Sequence, residues 1–159
     1  MYNETRRSEM YRVLYVALAT LFYLPLANAD NGLIMAKSPY TVDETLDRFE
    51  EAVTNKGMTI FTRIDHAEAA VKVGKELRPT VVLIFGNPNI GTLLMESTQT
   101  AAIDLPLKLL AWEDEGGQVW VAYNDPDYLV KRHAITDRDP IVEKMRKAMS
   151  HFTAVAIGK

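Results

Sequence analysis

Along the chain, apolar positions fall first in one unbroken run and then in helical or alternating periods. Val13 to Leu24 carries no charge, follows Arg6, Arg7 and Arg12, and stops at Pro25. Ala27-Asn28-Ala29 behind it is a small-x-small cleavage signal, which completes the order of a secretory leader. The run is about a dozen residues, against the roughly 20 a membrane span needs. Residues 1–29 are therefore expected to be a signal peptide, with no stable span after cleavage. Residues 30–159 are expected to form a single domain, periplasmic or secreted.

Beyond the leader the period changes from element to element. Leu33-Ile34-Met35 suits a first short strand. Thr41-Val42-Asp43-Glu44 is a capping box, and Val42, Leu46, Phe49 and Val53 follow at helical spacing until Gly57. Met58 to Ile64 predicts a strand with Met58, Ile60, Thr62 and Ile64 on one side. Asp65 and Glu68 would cap a short helix. The unbroken run Val81 to Phe85 predicts a strand covered on both faces. A helix is expected over about 90–103, ended by Leu105-Pro106. Leu107–Glu113 and Gln118–Asn124 flank a Gly-containing turn, the hairpin signal, with Trp112 and Trp120 paired across it. Another short helix starts near Tyr128. A last helix opens at Asp139-Pro140 with Ile141, Met145, Ala148 and Phe152 on one stripe. Helices and strands in mixed order with an antiparallel hairpin make the fold class α+β.

Composition removes whole classes of chemistry. The chain of 159 residues has no cysteine, so thiol catalysis, Cys-ligated zinc, iron–sulfur clusters and disulfide staples are excluded. Its net charge is −3, and losing the leader's arginines makes the remainder more acidic. Nucleic acid, which wants a basic face, is not the expected partner. Ser38, Ser97 and Ser150 have no nucleophile elbow around them.

Several landmarks occur together and in order. They are the helix over 41–57, Arg63-Ile64-Asp65-His66-Ala67-Glu68-Ala69-Ala70, Pro79 to Pro88, Gly91-Thr92-Leu93-Leu94-Met95, Leu105-Pro106-Leu107-Lys108 and Val121 to Pro126. On these the chain resembles DUF302, a bacterial family of unknown function. The resemblance runs from Tyr40 to His133 and leaves a C-terminal helical extension, about 136–159, outside it. It implies a curved, mainly antiparallel sheet with helices packed on one side, similar to one half of the TATA-binding-protein fold. It also implies a homodimer, and it implies nothing about an activity.

Candidate chemistry is sparse. Gly86-Asn87-Pro88-Asn89-Ile90-Gly91-Thr92 has the spacing of a phosphate loop, but Thr92 stands where its lysine belongs, so nucleotide hydrolysis is not expected. Gly86, Asn87, Gly91 and Thr92 remain an anion-binding candidate. His66, at a strand-to-helix junction beside Asp65, is the candidate metal or haem ligand or general base. Its competing role is a structural hydrogen bond. His133 and His151 form no ligand spacing with it. Trp112, Trp120 and Tyr123 suit a ligand pocket or a dimer interface, against a plain role in packing the hairpin onto helices. The leading expectation is an exported module holding a small molecule, anion, metal or haem near His66 and the Gly86-Asn87-Pro88 loop. The alternatives are a small periplasmic enzyme using His66 and an envelope protein-interaction module.

Overall fold

In the computed structural model, residues 31–159 are described, and the leader expected over 1–29 lies outside them. Strand β1 (Leu33–Ser38) leads into helix α1 (Val42–Thr54). Thr41 caps α1 by accepting from the Glu44 N–H at 3.2 Å, and Asp43 and Glu44 complement the helix dipole. Strand β2 (Thr59–Asp65) runs into helix α2 (His66–Lys72), capped by Asp65 through the Glu68 N–H at 2.9 Å. Strand β3 (Thr80–Gly86), helix α3 (Pro88–Ser97) and a 3₁₀ turn (Gln99–Ile103) follow. The hairpin β4 (Leu107–Glu113) and β5 (Val119–Asn124), then α4 (Pro126–Arg132) and α5 (Asp139–Ala156), complete the domain.

The five strands form one sheet in the order β1-β5-β4-β3-β2, with every neighbouring pair antiparallel. Trp112 pairs with Trp120 across the hairpin, as the loop spacing predicts. Helices pack on one side, against Val81, Leu83 and Phe85 of β3, Leu109 and Ala111 of β4, and Val121 of β5. Phe49 of α1 is their hub. Its ring meets Phe85 edge-on at 5.0 Å and Phe152 of α5 at 6.1 Å. Full burial of each such side chain contributes about 1.5–3 kcal/mol.

Three expectations are corrected. Met58, Ile60, Thr62 and Ile64 do not share a face. The β2–β3 register shifts between Ile60 and Thr62, so one extra residue enters β2. Because side chains alternate, that residue sends Met58 and Ile60 to the core and Thr62 and Ile64 to the open face. The apolar run of β3 is not sealed on both sides, for Val82 and Ile84 on the open face are only half-buried. The helix expected over 90–103 breaks at Thr98, whose backbone is extended (φ −151°, ψ 122°).

The last helix is no appendage. Met149, Phe152 and Ala156 complete the main core, while Met145 joins Leu94, Ala101 and Ile135 in a second cluster. Arg48 of α1 ties its far end, donating to the Val155 and Ala156 carbonyls at 3.1 Å.

Candidate functional site

Between the two clusters lies a groove of about 770 Å³. That volume is in the range of pockets that bury drug-sized ligands. One wall is α5, which offers Met145, Ala148, Met149 and Phe152. The facing wall is the end of β3, the start of α3 and the Leu105–Leu107 segment. Met58 and Phe61 close the β2 side. The bulge that redirects β2 therefore sits beside the groove.

Gly86 lets the walls approach. It is buried, and a β-carbon there would sit 3.3 Å from Cβ of Pro106 and 3.6 Å from the Phe61 ring. The Leu105–Pro106 peptide is cis.

Gly86, Asn87, Gly91 and Thr92 all line the groove. Their backbone is less available to an anion than the loop spacing suggests. Pro88 has no N–H, the Asn89 N–H donates to Asn87 Oδ1 at 2.9 Å, and the Ile90 and Gly91 N–H groups donate to the Asn87 carbonyl. The first turn of α3 is thus closed on its own cap. Positive charge comes instead from two side chains of the lining, Lys56 just past α1 and Lys144 of α5, with His151 of α5 also lining the groove. Among the described residues, neither lysine side chain is engaged in an ion pair or hydrogen bond.

The remaining candidates lie elsewhere. His66 is the first residue of α2, exposed, and not part of the groove lining. Asp65, just before it, pairs with Val81, whereas Gly86 is at the opposite end of β3. Five strand steps of about 3.4 Å put roughly 17 Å between those two positions. Trp112 and Trp120 stack on the open face with centroids 6.3 Å apart. The Trp120 indole donates to Asp114 Oδ2 at 2.8 Å, and the Lys37 ammonium sits over its ring at 5.1 Å. Tyr123 belongs to the main core, where burial, followed by the nearby Asp125 charge, pushes its phenol up. Among the described residues, no group of three or more His, Asp or Glu side chains is arranged to hold a metal ion.

A second polar assembly holds the groove's far wall. His133 Nε2 and Asp104 Oδ2 are 2.6 Å apart and both side chains are largely buried. His133 Nδ1 meets the Thr100 hydroxyl at 3.1 Å. These bonds tie the 3₁₀ turn to the end of α4. Ser97 reaches Asp137 at 2.5 Å, and Arg138 donates to the Leu93 carbonyl at 2.8 Å. None of these ties follows from local spacing, since the partners are 29 or more positions apart in the chain.

The fold matches a crystal structure of an uncharacterized conserved DUF302 protein from Bacillus stearothermophilus. Its TM-score is 0.72, over 79% of this chain and 98% of that one, at 18% identity. By sequence, the chain is 40% identical over 138 residues to the fluoride-specific ion channel FluC 1 of Brucella suis biovar 1. It has the same identity to FluC 1 of Brucella abortus biovar 1 and FluC 2 of Brucella melitensis biotype 1. In each case the match takes in 86% of this chain, yet it spans only about half the length of those relatives, 54%, 51% and 51%. No helix among the described residues is long and apolar enough to cross a membrane. Residues 34–152 match the family described as domain of unknown function DUF302, which reaches through most of α5, and the chain belongs to that family.

Proposed function

We propose that this protein is an exported, non-catalytic binding module whose groove takes one largely apolar small molecule. The groove itself carries the reading. It is open to a ligand, its walls are apolar, and four of the chain's seven methionines line it. Methionine is unbranched and polarizable, so such a lining adapts to ligand shape, as promiscuous binding surfaces do. The nearby histidine and methionines are also compatible with a haem or soft-metal ligand, whereas His66 stands apart from them. The test is fluorescence of an environment-sensitive naphthylamine dye added to the purified mature protein. Enhancement that is lost in Ala148→Trp, a variant meant to fill the groove from α5, supports the reading. Equal enhancement in both proteins rejects it.

The open sheet face favours a second reading, an interaction surface. Met35, Ala122, Leu110, Val82 and Ile64 are register partners, one from each strand, and form an apolar row across the whole sheet. The family resemblance makes a second copy of the chain the expected occupant. The Brucella relatives, in which a matching segment is about half of a longer protein, make an envelope partner the alternative. Sedimentation of Leu110→Lys checks this. A dimer in the parent and a monomer in the variant supports self-association, and a monomer in both removes it.

A further inference from the structure

Resting on the groove reading above, we infer that the molecule it takes has an anionic end, and that its class is an alkyl or acyl chain terminating in a carboxylate. The chain as a whole is acidic, with 21 aspartates and glutamates against 18 lysines and arginines. The groove inverts that balance. Its lining contains Lys56, Lys144 and His151 and no acidic residue.

The placement of these groups gives the groove a polarity. Lys144, Ala148 and His151 are spaced i, i+4 and i+7, so they share one stripe of α5, and about 10 Å of helix separates the lysine from the histidine. The stripe beside it, Met145, Met149 and Phe152, is buried. A ligand lying along α5 would therefore meet thioether and phenyl surface below and the Lys144 ammonium and His151 imidazole at the rim. Glu143, the acid nearest to Lys144 in sequence, is engaged by Arg146 and Lys147 on α5 and is absent from the lining.

Much of the positive charge elsewhere on the domain is committed differently, although the side chains of Lys75, Lys131 and Lys159 also have no partner among the described residues. Arg63 is held by Asp47 and Glu50, Arg146 by Asp127, and Lys72 by Glu68. Lys56 and Lys144 have no such partner among the described residues. Because the α3 N–H groups are engaged by Asn87, the recognition falls to flexible ammonium groups, which suit a single small carboxylate. The apolar walls favour a hydrocarbon body, so inorganic anions alone would gain little.

The test uses three decyl probes of matched length on the purified mature protein, namely decanoate, decanol and decyltrimethylammonium. Affinities are read by dye displacement at low and high salt. Decanoate binding at least tenfold tighter than decanol, with decyltrimethylammonium weakest, supports the inference. So does a loss of that advantage in Lys56→Gln/Lys144→Gln while decanol affinity is unchanged, or its shrinkage in high salt. Equal affinity for decanoate and decanol overturns the inference and leaves the groove reading standing. Failure of all three probes, in a protein whose dye signal also survives Ala148→Trp, overturns both.

Discussion

One helix, α5, runs through two regions that are built differently. Towards its C-terminal end it packs into the main core, where Leu46, Phe49, Leu83, Phe85 and Val121 have no exposed surface and Arg48 supplies the polar tie to the helix's last turn. Towards its N-terminal end it meets a smaller cluster of Leu94, Ala101, Ile135 and Met145, fastened by Asp104–His133–Thr100, Ser97–Asp137 and Arg138–Leu93. Close packing fills space, whereas long-range polar ties hold two walls at a distance without filling it. The groove lies at the seam between the two regimes.

The largest way to break that comparison is Phe49→Ala. It removes the hub of the closed region and leaves a cavity that Phe85 and Phe152 cannot fill without moving. A loss of about 3–5 kcal/mol is expected in urea unfolding followed by circular dichroism. A loss below about 1 kcal/mol would mean that the region is not packed as tightly as its burial implies.

His133→Ala acts on the other region. It removes the 2.6 Å partner of the largely buried Asp104 carboxylate, leaving it only Arg132 at 3.3 Å, and loosens the 3₁₀ turn from α4. About 1–3 kcal/mol of stability should be lost. Dye binding should weaken by more than this stability loss would produce by unfolding alone, because the far wall of the groove is no longer fixed. Unchanged dye affinity would separate the polar ties from the groove.

How much of this was legible beforehand follows the same division. Elements whose signals are local were readable. Thr41 and Asp65 cap the helices they announce, and the Trp112–Trp120 pair sits in its expected register. The family and the helix-on-one-side sheet follow from such landmarks. The β2 bulge was not readable, because Phe61 is as good a strand residue as its neighbours and only the pairing with β3 shows that it is extra. Of the site, Gly86, Asn87, Gly91 and Thr92 were singled out and line the groove, while His66 and the two tryptophans were singled out and lie away from it. Lys56 and Lys144 carry no local signal of their own, and His151 is set aside for want of ligand spacing with His66, because the groove joins α1, β2, β3, α3 and α5. The one local hint was the Lys144–Ala148–His151 stripe running beside Met145 and Met149.

A smaller effect concerns the hairpin turn, which lies outside both regions. Asp114 accepts from the Trp120 indole and from the Gln118 and Gly116 N–H groups, and these bonds hold its carboxyl below the ordinary carboxylate range. A depressed folded pKa means the stabilisation is present above the ordinary value and is lost as pH falls through the folded one. Acid titration of stability should therefore flatten in Asp114→Asn below the ordinary carboxylate range. An unaltered profile would show that other carboxylates govern it.

The smallest effect tests whether the closed region is as apolar as it looks. Thr153 of α5 is buried, and its hydroxyl has no hydrogen-bond partner among the described residues. An unpaired hydroxyl in such a place is destabilising, whereas a methyl of similar shape is not. Thr and Val have similar helix propensities, so Thr153→Val changes little else. Stability should stay level or rise by up to about 1 kcal/mol, opposite in sign to the two large losses above. A fall of about 1 kcal/mol would mean that the hydroxyl is paired with an ordered water, and that the polar fastening of the groove side continues into the main core.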